Sequence, residues 1–186
     1  GVQTCALPIL PLVLNGVHGV TPLWIGGVTT IFSFGWTAGS LWIAGRSPKL
    51  QEASMAGGMA TAAVALAVLA ATVGDLSPAW ISALFFVVGF GIGLTINSVT
   101  DWLLSHPPKD EATITAAAMP VMRSLGIVLG SGFAAVLANA AGLDQGVSAT
   151  AIIRAVTWIW SVSVLAPLVA TFCAWRVASS SRGGPG

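Results

Sequence analysis

The chain has 186 residues, of which 55% are hydrophobic and 7% are charged, and its mean hydropathy is +0.90. A soluble domain carries about a quarter charged residues to keep its surface hydrated, so this composition predicts a polytopic membrane protein. The net charge of +1 provides no basic field for nucleic acid, and the two cysteines are too few and too far apart to predict a disulfide framework or a zinc site.

The first nine residues, GVQTCALPI, resemble the in-frame translation of a sequencing-library adapter. We therefore interpret residues 1–9 as an assembly artefact and leave them out of the fold, as an expression scar would be left out. We expect a transmembrane helical domain over residues 10–178, starting in the middle of a longer gene, and a cytoplasmic tail over residues 179–186.

Apolar runs separated by short polar connectors predict five complete membrane-spanning helices after an N-terminal partial helix, LPLVLN. Each run is long enough, at about 1.5 Å per residue, to cross a hydrocarbon core of about 30 Å. The predicted fold class is an all-α, polytopic transmembrane bundle, in which short connectors make neighbouring helices antiparallel. The predicted spans are 23–45, 53–73, 79–104, 112–140 and 152–175.

The charges of the connectors predict the orientation of the bundle. One side collects five of the seven basic residues, whereas the connectors on the other side contain carboxylates and neither Lys nor Arg. The positive-inside rule makes the basic side cytoplasmic. We therefore expect a multi-pass protein of the cell membrane with a cytoplasmic C-terminus. The five basic residues are Arg46, Lys49, Lys109, Arg176 and Arg182.

Small residues recur at four-residue spacing and place a narrow stripe on one face of three predicted helices. Such stripes let helix backbones approach closely, which gives membrane helices contact area without a hydrophobic driving force between them. We predict that these positions pack helices together, and leave open whether they are also sliding surfaces in a protein that rocks. The positions are Gly35, Gly39, Gly89, Gly93, Gly126 and Gly130.

Most of the eight tryptophans fall near predicted span ends, where amphipathic rings favour the headgroup level, and Trp36 alone lies in the middle of a span. We interpret all eight as packing or interface residues rather than as substrate-stacking residues.

Three polar residues, Asn97, Asp101 and Arg123, lie within or beside apolar spans. Ionisable groups are unfavourable in lipid, so such residues are candidates for a functional site, here a gate or cavity near the cytoplasmic side. Asp101 is about three residues, or roughly 5 Å, from the inner end of its helix. Asn97 lies one turn deeper and either adds polarity to a cavity, bonds another helix or is satisfied locally.

The depth of Arg123 depends on Pro120. If a helix begins at Pro120, where the missing N–H removes no hydrogen bond, Arg123 is an interfacial residue, and we favour this arrangement. If the helix is continuous from Ala112, Pro120 kinks it and Arg123 lies roughly 16 Å from the start. At that depth Arg123 would need Asn97 or Asp101 as a partner.

No catalytic, cofactor-binding or metal-binding constellation is evident in the sequence. His18 and His106 fall in connectors predicted on opposite sides of the membrane, and no serine has an evident neighbouring base. We therefore expect that the protein is not an enzyme and uses no cofactor and no metal.

Three short motifs occur in a fixed order along the chain. The run GVHGVTPL with Gly26 after it is a turn and helix start, Gly45, Arg46 and Lys49 form a basic connector, and RSLGIVLG runs from Arg123. In this order they resemble the major facilitator superfamily, especially multidrug:proton antiporters of twelve or fourteen spans. The basic connector departs from the family's fuller motif because it lacks the Asp before the Arg. A gating ion pair at Arg46 would therefore have no acidic partner from this motif.

The resemblance implies the C-terminal portion of a proton-coupled secondary transporter, whose two halves alternate the access of a central cavity. The implied partners are the lipid bilayer, a missing N-terminal half, a small amphipathic or drug-like substrate that is exported, and protons, with no nucleic acid. Because no carboxylate lies deep in the predicted spans, we expect the proton carrier in the missing half. A non-transporting membrane subunit or scaffold stays open as the alternative, followed by a membrane enzyme.

Overall fold

The computed structural model describes residues 10–105, 112–144 and 148–182. Over these ranges the secondary structure is helical, with turns and no strand, which confirms the predicted all-α class. The suspected adapter residues 1–9, His106 and Lys109, and the last four residues of the predicted tail lie outside the described ranges. The tail's first four residues, 179–182, continue the last helix.

Proline or glycine marks several helix boundaries. Prolines 22, 48 and 78 open three of the long helices, where a missing N–H removes no intrahelical bond. Gly45 follows the second helix with a φ of +70°, a left-handed conformation that glycine adopts without strain. The helices are α1 (Leu10–Gly16), α2 (Pro22–Ile43), α3 (Pro48–Thr72), α4 (Pro78–Ser105), α5 (Ala112–Ala140), α6 (Ala149–Ser163) and α7 (Leu165–Arg182).

Helix α4 lies at the centre of the bundle, between α2 and α3. Its Phe85 is fully buried and meets Phe32 of α2 and Trp160 of α6 in edge-to-face contacts, with ring centroids 6.4 and 5.8 Å apart. Edge-to-face geometry places the positive ring edge against the negative face of its neighbour. These rings join three helices in one core.

Four segments of the described residues are long and apolar enough to cross a membrane: Pro48–Thr72, Pro78–Leu103, Ala117–Ala140 and Ala149–Arg176. The predicted count of five complete spans is therefore corrected, because α2, over the first predicted span, is not among them. Helix α2 has 22 residues, about 33 Å, but its glycines, serines and threonines lower its hydropathy. Contact with α4 along its length holds it in the bundle.

The last segment consists of two helices, because α6 ends at Ser163 and α7 begins at Leu165. Pro167 lacks the N–H that would bond the Ser163 carbonyl, and its ring crowds that carbonyl. Val164 between them keeps right-handed helical angles, φ −64° and ψ −29°. The single span predicted over 152–175 is thus confirmed as one candidate span, Ala149–Arg176, with a local break in the helix at Val164.

Helix α5 is continuous from Ala112, with Pro120 inside it. The favoured expectation of a helix that begins at Pro120 is not what the structure shows, since the residues before the proline are already helical. This helix is also the least packed, with 6% of its candidate span buried against 56% for that of α4.

Candidate functional site

Helices α2 and α4 touch backbone to backbone along a line of four glycines, which we call the α2–α4 contact. A Cβ on Gly35 would clash with the carbonyl oxygen of Phe86, and a Cβ on Gly89 would clash with that of Phe32. Gly39 and Gly93 make equivalent approaches one turn further along. Gly126 and Gly130 lie elsewhere, half-buried on α5.

A second close approach, the α3–α4 contact, joins Gly58 and Gly91, where a Cβ on either would clash with the carbonyl oxygen of the other. Residues two apart on a helix lie on nearly opposite faces, because each residue rotates by about 100°. Gly91 therefore faces α3, while Gly89 and Gly93 face α2. The run GFGIG gives α4 two flat faces, one for each neighbour.

Three buried hydroxyls bond α3 to α4 next to this contact. The Oγ atoms of Ser54 and Ser98 lie 2.8 Å apart, and either can donate. Thr95 donates to the carbonyl oxygens of Met55, at 3.3 Å, and Gly91, at 3.1 Å. All three side chains are at least nine-tenths buried, so they find protein partners where neither water nor lipid would supply them.

A cavity of about 550 Å³ lies between α3, α4, α5 and α7, beside these hydroxyls. Among the described residues that line it, Arg123 is the one charged side chain, and none of them is a carboxylate. A mostly apolar concave site with a few polar groups is the usual form of a small-molecule site. Its lining consists of Met55, Met59, Thr95, Ile96, Val99, Thr100, Met119, Pro120, Arg123, Ala170 and Ala174.

The guanidinium of Arg123 lies over the indole ring of Trp36 on α2, with Cζ 5.7 Å from the ring centroid. This is a cation–π contact, in which the ring face attracts the positive charge. Since α5 is continuous from Ala112, Arg123 lies eleven residues beyond the helix start, or roughly 16 Å along the axis. At this depth the described contact of its guanidinium is the aromatic face of Trp36.

The other two polar candidates, Asn97 and Asp101, are not bonded to Arg123 within the described residues. Within the described ranges, neither Asn97 nor Asp101 forms a hydrogen bond or ion pair with the guanidinium. Asn97 is half-buried on α4 and Asp101 is exposed near the end of the same helix. The structure thus groups Arg123 with Trp36 and the cavity, and leaves Asp101 at the rim of the bundle.

The basic connector between α2 and α3 folds back on the end of α2. Arg46 donates from Nε to the carbonyl oxygen of Trp42 at 3.2 Å, and its Cζ lies 5.2 Å from the centroid of that indole. A cation at a helix C-terminus complements the helix dipole and satisfies a terminal carbonyl. Lys49 is exposed in the first turn of α3, so the positive charges of the connector lie at the surface.

Comparison with models of known protein families gives a match. The family model of the Major Facilitator Superfamily matches residues 1–131, which is more than half of the sequence. This chain belongs to the major facilitator superfamily. The match includes α1 to α4 and α5 beyond Arg123, so both glycine contacts and most of the cavity lining fall within it. No curated protein and no solved structure matches the chain significantly.

Membership in the major facilitator superfamily assigns the chain to a family of membrane transporters. Its apolar helices agree with a place in a membrane, and the bundle agrees with a partial major facilitator fold. The superfamily match also includes residues 1–9, which lie outside the described residues.

Sequence reasoning about this major facilitator chain missed several residues at the site. Trp36 carried a signal, since it is the mid-span tryptophan, but nothing in the sequence pairs it with Arg123. The Gly58–Gly91 pair was also missed, because neither glycine lies in a four-residue repeat. The hydroxyls of Ser54, Thr95 and Ser98 are ordinary residues for an apolar helix, and only the packing of α3 on α4 shows their role.

Proposed function

We propose that the chain is the C-terminal portion of a proton-coupled secondary transporter that exports small amphipathic or drug-like compounds by alternating access. Membership in the major facilitator superfamily carries the proposal. The cavity of about 550 Å³ supports it, because a transporter of small molecules needs a concave site of that order.

The uneven packing of the helices supports a missing half. Helices α2, α3 and α4 are joined by direct backbone contact, whereas α5 is almost unpacked. Large apolar patches on a protein surface mark interaction sites or contact with lipid. We propose that α5 faces the N-terminal half and the bilayer. Its exposed large apolar side chains include Val121, Met122, Leu125, Val128, Leu129, Phe133 and Val136.

The three polar candidates fit a gate or cavity at the cytoplasmic side. In this proposal Arg123 is the charged group of the cavity, Asn97 adds polarity one helix away, and Asp101 lies at the rim. The described residues of the cavity wall include no carboxylate, and we propose that the proton carrier belongs to the missing half. Gly45, Arg46 and Lys49 form the cytoplasmic basic connector.

The decisive experiment begins with recovery of the gene upstream of residue 10. The full-length protein and the 186-residue chain are each reconstituted in liposomes with an imposed pH gradient, and substrate and proton fluxes are recorded together. We expect coupled flux from the full-length protein alone. Flux from the 186-residue chain would refute the need for another half, and a full-length protein without flux would favour the scaffold alternative.

The role of Arg123 has its own test in the full-length protein. Arg123→Ala should abolish transport at normal membrane abundance, because the cavity loses its charge. Arg154→Ala is the matched control, since Arg154 is an exposed residue near the start of α6, away from the cavity lining. Unchanged transport by Arg123→Ala would remove Arg123 from the mechanism.

The connector charges support a location in the cell membrane with a cytoplasmic C-terminus. A reporter fused after residue 186, active only in the cytoplasm, should be active. A second reporter placed at Asp75, in the turn after α3, should be inactive. The reverse pattern would contradict the orientation.

A further inference from the structure

We propose that the cavity between α3, α4, α5 and α7 binds an amphipathic monoanion with an aromatic body, and that Arg123 binds its acidic group. The inference names a substrate class for the proposed transporter and rests on that function for its physiological meaning. Binding itself is a property of the 186-residue chain and can be measured without transport.

The charge of the cavity determines the sign of the ligand. Arg123 contributes a positive charge to the lining, and none of the described lining residues is a carboxylate that would neutralise it. Its present contact is the face of Trp36 at 5.7 Å. No described residue accepts a hydrogen bond from its guanidinium, so the N–H donors are available to a carboxylate, which arginine binds through two parallel bonds.

The rest of the lining determines the body of the ligand. Three of the four methionines of the chain, Met55, Met59 and Met119, line the cavity. Thioether sulfurs contact aromatic rings favourably, and the flexible side chain adapts to different shapes. The hydroxyls of Thr95 and Thr100 already donate to backbone carbonyls of α3 and α4. A ligand therefore meets an apolar, sulfur-rich surface beyond the arginine.

The size and setting of the cavity agree with this ligand. Its volume of about 550 Å³ lies within the range of about 300–1,000 Å³ for small-molecule sites. Arg123 is an exposed residue of α5 that borders the cavity, and a bound anion would place an opposite charge beside it within an apolar surrounding. A cationic compound would place like charges together, and a neutral compound would leave the guanidinium uncompensated.

Calorimetric titration of the 186-residue chain in phosphatidylcholine nanodiscs tests the proposal with three ligands that share one ring system. These are 2-naphthoate, 2-naphthalenemethanol and 2-naphthylmethylammonium. We expect 2-naphthoate to bind at least about tenfold more tightly than the other two, as a charge-assisted hydrogen bond implies. Arg123→Gln should remove this preference. Arg46→Gln should keep it, because Arg46 also stacks on an indole, at 5.2 Å from Trp42, but lies outside the cavity.

Two further variants keep the test decisive. Arg123→Lys retains the charge and should retain part of the preference even if the glutamine variant fails to fold. Ala170→Phe fills the cavity and should lower the affinity for all three ligands alike. Circular dichroism of this variant checks that its helix content is unchanged. Equal affinities in the unmodified chain, or a preference that survives Arg123→Gln, would overturn the proposal.

Two sources of the anion remain to be distinguished, a soluble carboxylate and a lipid phosphate. The titration is therefore repeated in nanodiscs that contain phosphatidylglycerol. Unchanged binding of 2-naphthoate supports the soluble ligand, and its loss overturns the substrate proposal in favour of a lipid headgroup. Binding of 2-naphthoate without flux by the full-length protein would contradict the transport function and leave the site intact.

Discussion

Gly58 and Gly91 face each other so closely that a Cβ on either residue would overlap the backbone carbonyl oxygen of the other. The same helix α4 meets α2 through Gly89 and Gly93 on its opposite face. Helices in lipid gain little from burying apolar side chains against each other, so close backbone contact is a main source of their packing. The close packing at the centre of the bundle therefore requires glycine, which has no side chain, at these positions.

We expect Gly91→Ala to lower the free energy of unfolding by about 1–3 kcal/mol, because the added methyl group separates α3 from α4. Gly57→Ala is the matched control on α3, next to Gly58, since nothing lies within 4 Å of its added Cβ. The control should be neutral, or stabilising by up to about 1 kcal/mol, through helix propensity. Denaturant unfolding in detergent measures both, and equal losses would contradict the close contact.

Gly45→Ala should lower the free energy of unfolding by about 1–2 kcal/mol, because φ at this position is left-handed. The structure gives Gly45 a φ of +70° and open space around it, so the effect is one of backbone strain rather than of a clash. Gly26→Ala, a helical position of α2 with open space, is the control. Thermal unfolding of the two variants separates them, and an unchanged Gly45→Ala variant would refute the strained turn.

The contact between Arg123 and Trp36 predicts energetic coupling across α5 and α2. A double-mutant cycle of Arg123→Gln and Trp36→Leu should give a coupling energy of about 0.5–2 kcal/mol in unfolding experiments. The control cycle replaces Trp36→Leu with Trp42→Leu, since Trp42 contacts Arg46 instead. Coupling near zero in the first cycle would show that the cation–π contact contributes nothing to stability.

The Ser54–Ser98 hydrogen bond of 2.8 Å predicts a small, measurable contribution to stability. Interhelical hydrogen bonds in membranes average about 0.6 kcal/mol, with a maximum of about 1.7, so Ser98→Ala should destabilise by an amount in this range. Ser131→Ala is the control, because Ser131 is exposed and bonds Ile127 of its own helix at 2.9 Å. A loss in the control as large as in Ser98→Ala would contradict an interhelical role.

Much of the fold follows from local features of the sequence. The all-α class and the positions of most helices follow from apolar runs and from the prolines and glycines that bound them. The limits of this reasoning appear at single residues. Pro120 is predicted to begin a helix and lies inside one, and Pro167 follows a one-residue break between two helices that the sequence predicts as one within the same candidate span. A proline is compatible with either a helix start or a bend, and neighbouring packing selects between them.

The sequence by itself determined that this is a membrane protein of helices, and it identified Arg123 as an unusual charge in an apolar setting. Only the tertiary structure decided that Arg123 meets Trp36, that Gly58 meets Gly91, and that a cavity lies between α3, α4, α5 and α7. The physical reason is that apolar helices are alike in hydropathy, so hydropathy cannot say which helix lies beside which. Shape and the placement of a few polar atoms select the neighbours, and these are properties of residues far apart in the chain.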